Sequence, residues 1–568
     1  MKRESENLRI YFLFLVMILA AGCVLVRLFS IQILKHSLYA ATAQGQYEYS
    51  KKIAPDRGDI FIQEKGGVWH PLAVSRKYES VYLVPRDVQN KDETAQKLYS
   101  LLGLEKEKIL AKLKDYEDPY EPLKSKLEDE TVEKIKDLNL PGVGFETEKR
   151  RWYPQGSLAA HVLGFVGIQN DQKIGQYGLE GYYEKELAGT DGLMKSKRDA
   201  LGRWLLLEDY SVDPARDGSD LYLTLDQNIQ YLAEQELKKM AESWHIFSGC
   251  AIVMDPKTGA VKAMASFPGF NPNEYNKAES INSFSNSCIQ QIYEPGSVFK
   301  PITMAAGLDS GKVSPSTTFN DEGFVKIGPD IIRNALQKSY GLSSMTQVLE
   351  KSINTGVIFV ERLVGSEKFE KYVESFGFGE ICSIDLEGEV SGSLKNIKTN
   401  REINLATAAF GQGISVTPLQ MASAIGAIAN QGKLMRPYIV EKIVKDNGEE
   451  QITEPQVVRE VISPKSAAKL STMLVSTVDN GYDQVKIKNY NIAGKTGTAQ
   501  MADTQKRGYG DDVSHTFIGY APAYDPKFLI FLKIEKPIGA QFASTTLSPV
   551  FSELAQYILN YYEIPPER

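Results

Sequence analysis

Glu294-Pro295-Gly296-Ser297-Val298-Phe299-Lys300-Pro301 is the stretch on which the reading of this 568-residue chain turns. Gly296 followed by a short polar residue suggests a helix that begins at Ser297, which would put Ser297 and Lys300 one turn apart on the same face. Pro301 limits how far upstream that helix can start, because a proline deep inside it would clash with the preceding turn. A serine hydroxyl needs a neighbour to take its proton before it can act as a nucleophile. A lysine can do so if burial or a second cation lowers its pKa. Taken alone the S-x-x-K pattern says little, since a chain of this length and composition gives roughly two or three by chance. Ser466-Ala467-Ala468-Lys469 is read as one of those.

Downstream partners in a fixed order make the signal specific. Ser352-Ile353-Asn354 follows, and then Lys495-Thr496-Gly497-Thr498, at domain-sized intervals. Ser5-Glu6-Asn7 and Ser280-Ile281-Asn282 also match S-x-N, and Lys257-Thr258-Gly259 matches K-T-G, but all three precede Ser297. The Lys257 copy has a simpler explanation as a turn after Asp255-Pro256. Lys495 instead lies in a strand-like run between Tyr490-Asn491-Ile492-Ala493 and Ala499-Gln500.

The surroundings supply a fold class. Ile229, Ala233, Leu237, Met240 and Trp244 follow helical spacing after a possible Asp226 cap. Cys250–Met254 and Ala260–Ser266 form a hairpin around the Asp255–Gly259 turn. His515–Tyr520 and Phe528–Ile534 form a second around Asp525-Pro526. Ser548-Pro549 is read as the cap of a last helix carrying Phe551, Leu554, Ala555, Ile558 and Tyr562. Helices bracketing antiparallel hairpins point to an α+β domain over 216–568.

Upstream, residues 35–215 are less regular. Short strand-like pieces such as Ser80–Val84 alternate with charged helical stretches between Leu104 and Leu138, whose Lys and Glu residues form a solvated face. Val212–Gly218 is the best turn-rich boundary. Ile10–Val26 is a run of seventeen uncharged residues, and the apolar pattern resumes after Arg27. The span 10–34 suffices to cross a bilayer if Arg27 snorkels, leaving 1–9 as a short cytoplasmic tail. Lys2, Arg3 and Arg9 before the span against Arg27 and Lys35 after it give a small bias towards the amino terminus inside, and charge counting alone leaves the orientation open. The competing reading is a signal peptide cut near Ala20-Ala21-Gly22-Cys23. The apolar run Val24-Leu25-Val26 beyond the cut speaks against it.

Composition excludes several classes. A net charge of −7 leaves no basic surplus to hold a phosphate backbone, so no nucleic-acid partner is expected. Cys23, Cys250, Cys288 and Cys382 contain no C-x-x-C pair, so no metal and no cofactor is expected; they are read as small hydrophobes. Five scattered histidines argue against a histidine base.

With all three motifs in order, the chain resembles the penicillin-binding serine transpeptidases, specifically class B, for which S-x-x-K, S-D-N and K-T-G are the known signature. Ile353 departs from that signature at a position that carries no group in the proton-transfer scheme. Arg57-Gly58-Asp59-Ile60, Arg150-Arg151-Trp152-Tyr153-Pro154 and Gly178-Leu179-Glu180-Gly181 look like the pedestal motifs of class B. Gly411-Gln412-Gly413 and Thr516-Phe517-Ile518-Gly519 look like catalytic-domain ones. The resemblance implies a transmembrane anchor at 10–34, an elongated pedestal of dimerisation type at 35–215 and a transpeptidase domain at 216–568. The short length looks more like the division type than the elongation type, with no segment left for a fused glycosyltransferase.

The resemblance also implies a mechanism. Ser297 attacks the penultimate D-Ala of a peptidoglycan stem peptide, Lys300 is the base, and Ser352 relays protons to Lys495. Asn354 orients the peptide, Lys495, Thr496 and Thr498 hold its carboxylate, and Gly497 lets it lie against the strand. Backbone N–H groups of Ser297 and Thr498 form the oxyanion hole. β-Lactams should acylate the same serine. Implied partners are the bacterial cell membrane, with the catalytic domain outside the cytoplasm, and a polytopic glycosyltransferase of the shape, elongation, division and sporulation family, contacted through the span and through Arg57 and Arg151. The rival readings are a D,D-carboxypeptidase or β-lactamase-like hydrolase, and a non-catalytic scaffold or β-lactam-sensing receptor.

Overall fold

The computed structural model describes residues 2–36, 48–114, 116, 120–170, 172–197, 211–502 and 508–567. Contacts divide the chain into two units, one of residues 1–56 with 189–218 and one of 57–188 with 219–568.

The larger unit is organised by a five-stranded antiparallel sheet. Its strands are β1 (Ser248–Met254), β2 (Val261–Phe267), β3 (Ala493–Ala502), β4 (Tyr509–Ala521) and β5 (Phe528–Glu535), in the order β2-β1-β5-β4-β3. The two expected hairpins are its building blocks. Asp255 shapes the first turn, accepting from the Lys257 N–H at 2.8 Å and the Thr258 hydroxyl at 2.9 Å. The K-T-G copy at Lys257 is therefore a turn. The second copy is in β3, at the sheet edge.

Both faces of the sheet are buried, which is why its strands read as nearly unbroken apolar runs. Ala251, Val253, Ile530 and Leu532 face one core with α1 (Gln227–Trp244) and α6 (Ala543–Tyr561). Ile252, Met254, Leu529 and Phe531 face the other, with α2 (Lys300–Asp309) and the wholly buried helix Pro418–Ala429. Period-two alternation sends neighbouring residues to opposite layers. The Asp226 carboxylate caps α1 by accepting from the Asn228 and Ile229 N–H groups.

Two expectations are corrected here. The last helix begins at Ala543, and Pro549 lies inside it. The preceding Ala543–Leu547 turn is held in place, because Ala543 N–H donates to Thr498 Oγ1 at 3.1 Å and Leu547 is fully buried, so packing overrides the proline as a start signal. Cys250 and Cys288 form a disulfide between β1 and the segment ahead of the Ser297 turn, and do not pack as free thiols. A separation of 38 residues gave no local hint of it.

The pedestal portion of this unit pairs Val68–Leu83 with Val143–Trp152 in register from Val74↔Trp152 to Leu83↔Val143. Its three sequence motifs converge on one buried acid. Glu180, fully buried, accepts from Arg57 Nε at 2.7 Å and Arg151 Nε at 2.6 Å. Arg151 Nη1 also donates to Gly58 O at 2.8 Å, and Arg57 Nη2 to Glu184 at 2.7 Å. Burial alone would push the Glu180 carboxyl up, and the two guanidiniums more than reverse it, holding it below its usual value. Arg57 and Arg151 side chains are only 12% and 4% exposed, so they serve the interior and not the partner-facing surface expected of them.

In the smaller unit, helix Lys2–Phe29 continues into a π turn at Ser30–Leu34. Ile10–Leu34 is 25 residues long, and none of its most apolar window is buried in protein. At 1.5 Å per residue it reaches roughly 37 Å, enough to cross a hydrocarbon core of about 30 Å.

Candidate active site

Ser297 lies in a 3₁₀ turn, Gly296–Phe299, that leads into α2 at Lys300. The helical path thus starts one residue before Ser297, and Pro301 sits in the first turn of the α-helix proper, where its missing N–H costs nothing. Gly411 supports this turn from below. Its carbonyl accepts the Gly296 N–H at 2.9 Å, and at φ +81° a Cβ there would lie 2.3 Å from Gly296 O. No larger residue could occupy it.

Ser352 follows α3 (Met345–Glu350) and precedes α4 (Asn354–Val364). Its φ of +54° is in the left-handed region, a strain on the order of 1–3 kcal/mol for a non-glycine residue. Two things hold it there. Ser344 and Gln347 form a capping box that fixes α3, and Ile353 is fully buried with its N–H on Val348 O at 2.9 Å. The residue that departs from the family signature is therefore a core anchor for the two polar residues beside it.

Lys300 is fully buried and reaches Ser352 twice, donating to its carbonyl at 2.5 Å and to its Oγ at 3.0 Å. Among the described residues no carboxylate pairs with Lys300, and the half-buried Ser297 hydroxyl makes no hydrogen bond of its own. Burial, and secondly the positive charge of Lys495, depress the Lys300 amine well below the ordinary lysine value. Of the two causes named from the sequence, burial is the larger.

Lys495 comes from β3 and is 1% exposed. Its Nζ donates to Tyr482 Oη at 3.0 Å and to Thr496 O at 3.2 Å. Being the edge strand, β3 leaves one row of backbone groups unpaired beside the Ser297 turn. A Cβ on Gly497 would meet Val298 Cγ1 at 3.0 Å and Pro295 O at 3.1 Å. The glycine thus lets the serine turn approach the strand, a closer reason for it than room for a peptide.

Other expected residues are placed with partners. Asn354 Nδ2 donates to Arg333 O at 3.0 Å, so its amide is engaged with the protein in this state. Thr498 Oγ1 accepts from Ala543 N–H, which leaves its own proton available to a ligand. Sequence reasoning missed Tyr482 and Glu294. Glu294 accepts from Gly413 N–H at 3.1 Å and from the Tyr509 hydroxyl at 2.8 Å, tying the turn to its neighbours. Glu294 stood three residues from Ser297 and could have been suspected. Tyr482 lies thirteen residues from Lys495 outside any motif. Ser466, of the chance S-x-x-K match, belongs to the first turn of α5 (Pro464–Gly481), where its N–H donates to the Ser463 cap.

Residues 249–556 match the penicillin binding protein transpeptidase domain, and residues 52–223 the penicillin-binding protein dimerisation domain. Stage V sporulation protein D of Bacillus subtilis is 33% identical over 551 residues, 95% of this chain and 84% of that protein. The probable peptidoglycan D,D-transpeptidase PenA of Neisseria gonorrhoeae is 29% identical, covering 100% of this chain and 95% of its own. The crystal structure of penicillin binding protein 2X from Streptococcus thermophilus shares the fold, with a TM-score of 0.77 at 24% identity over 90% of this chain and 80% of that one. With both domain models matched, in the order the motifs require, this chain belongs to the class B penicillin-binding proteins.

Proposed function

We propose that this chain is a peptidoglycan D,D-transpeptidase that works through an acyl-enzyme on Ser297, with the pedestal at 35–215 and the catalytic domain at 216–568. The observation that carries the assignment of roles is the buried, acid-free Lys300 one helical turn from Ser297, bonded to Ser352. Ser297 Oγ attacks the carbonyl carbon of the penultimate D-Ala while its proton passes to neutral Lys300 Nζ. The amide C–N bond then breaks, and the departing D-Ala amine takes the proton through Ser352. An acceptor amine attacks the resulting ester, forms the new amide, and Ser297 recovers its proton. Lys495 and Thr498 hold the donor carboxylate, Thr496 supports them through its hydroxyl on Tyr482, and Asn354 exchanges its Arg333 contact for the peptide. Backbone N–H groups of Ser297 and Thr498 receive the oxyanion, each such donor contributing about 10²–10³ in rate.

The test is covalent capture. A fluorescent penicillin should label the protein stably, the adduct should map to Ser297 by mass spectrometry, and Ser297→Ala should abolish it without loss of fold. An adduct on another residue would overturn the assignment, and rapid turnover of nitrocefin would favour a hydrolase.

The apolar helix is read as a single-pass anchor with the catalytic domain outside the cytoplasm. The basic residues before the span and the Cys250–Cys288 disulfide, a bond that persists in oxidising compartments, both support that side. A wall-building partner then follows: a polytopic glycosyltransferase of the shape, elongation, division and sporulation family, supplying the glycan strands. With Arg57 and Arg151 buried, its contacts are assigned to the span, where Ala20, Ala21 and Gly22 permit close helix approach. Crosslinkers along 10–34 should trap one polytopic protein in cells, and a replaced span that keeps growth normal would reduce the helix to a tether. The role is assigned to division. The relative named for stage V of sporulation keeps a sporulation step as the second reading, and the position of a fluorescent fusion in dividing and sporulating cells decides between them.

A further inference from the structure

Tyr482 caps the end of α5 and turns its ring under β3. The ring meets Phe517 edge-on at 6.1 Å, and the Lys495 ammonium lies 5.7 Å from its centroid. Its phenol oxygen accepts from Lys495 Nζ at 3.0 Å and from Thr496 Oγ1 at 2.8 Å. One oxygen therefore gathers two consecutive side chains of the K-T-G strand, although backbone pleating sends neighbouring side chains of a strand to opposite faces.

We infer that Tyr482 is a positioning residue that acts through Lys495: it fixes the ammonium and the Thr496 hydroxyl in one arrangement, assigning Lys495 to substrate carboxylate and leaving proton transfer to Lys300. This rests on the transpeptidase reading above. The physical reason is the difference in company. Lys495 has two oxygen acceptors, the Tyr482 phenol and the Thr496 carbonyl. Lys300 is fully buried, with the Lys495 cation as its nearest charge. A phenol oxygen that accepts two bonds is suited to hold a cation in place. Burial raises the Tyr482 phenol, and Lys495 and Thr496 more than reverse this. Other titratable groups on the packed elements are engaged elsewhere: Glu350 accepts from Ser476 and Asn480, and Asp483 pairs with Lys486.

The experiment is Tyr482→Phe in the full-length protein, with acylation by benzylpenicillin followed over a range of pH. The substitution keeps the ring on Phe517 and removes only the oxygen. The apparent binding constant for penicillin should weaken about tenfold or more, as expected for the loss of a hydrogen bond to a charged group. The alkaline limb of the rate profile should move to lower pH, with the melting temperature unchanged. An unaltered binding constant and profile would overturn the inference, and so would a loss of acylation that merely tracks a loss of folded protein. Wild type is the internal control. If its adduct is not on Ser297, the transpeptidase reading fails, whereas a normal wild-type adduct with an indifferent Tyr482→Phe removes this inference alone.

Discussion

Two clusters of buried charge sit in the larger unit, and they are built on opposite rules. Around Glu180 two guanidiniums surround one carboxylate, and each partner is hydrogen-bonded. Around Lys300 two cations share a site with no acid among the described residues, and burial works against the charge of the first. Both clusters shift a pKa downwards, for contrary reasons. Glu180 is lowered because its charged form is satisfied, and Lys300 because its charged form is not. The paired cluster holds pedestal motifs together, and the other holds the amine proposed as the base for Ser297. A satisfied buried charge is thus a structural element, and an unsatisfied one is a reactive element.

The largest effect that would test this contrast is at the base. Lys300→Arg keeps a positive charge but cannot supply a neutral amine, so acylation should fall by about 10²–10⁴ while the fold survives. Stopped-flow acylation with a fluorescent penicillin measures it. A near-normal rate would make Lys300 no different in kind from the arginines of the pedestal.

Breaking the paired cluster should have the opposite profile. Glu180→Gln leaves the buried Arg151 without its close acid and Arg57 with Glu184 alone, and should cost about 3–5 kcal/mol in stability. The folded fraction should still acylate at the wild-type rate. Denaturant melts read the first quantity and labelling of the folded protein the second. A variant of normal stability would show that the arginines find other partners.

Stability against pH sharpens the comparison further. Glu180 has a folded pKa below its unfolded one, so its contribution is complete above the unfolded carboxyl value and is lost as pH falls through the folded value. Lys300 is also lowered, but it is a cation when protonated. Between its depressed folded value and the unfolded value of about 10.5, the unfolded chain binds the extra proton, so stability rises with pH across that window. Lys300→Met should flatten that rise and raise the melting temperature near neutral pH. An unchanged slope in thermal melts would mean that Lys300 is protonated in the native state.

How much of this was legible beforehand differs between the regions. The hairpins, the α1 cap and the order of the three motifs were readable because each rests on local chemistry: an Asp-Pro turn, an Asp cap, a helical i to i+3 spacing. The start of α6 was not, since its first turn is held by Thr498, 45 residues away in sequence. The Cys250–Cys288 bond and the Tyr482 contact are likewise tertiary. Arg57, Arg151 and Glu180 could be singled out as motif residues, but nothing local says that all three point inward at one another. The smallest expected effect belongs here. Ser466→Ala, in the decoy S-x-x-K, should cost at most about 1 kcal/mol and leave acylation unchanged, because Ser466 is a helix first-turn residue. A loss of acylation would reopen the choice between the two serines.

The most direct measurement is the protonation state of Lys300 itself. Protein carrying ¹³C-labelled lysine side chains can be titrated by NMR in detergent, with the Lys300 resonance assigned by its disappearance in Lys300→Arg. The account requires one lysine that titrates well below the ordinary value and stays neutral at the pH of fastest acylation. A Lys300 resonance that titrates with the solvent-exposed lysines would contradict it.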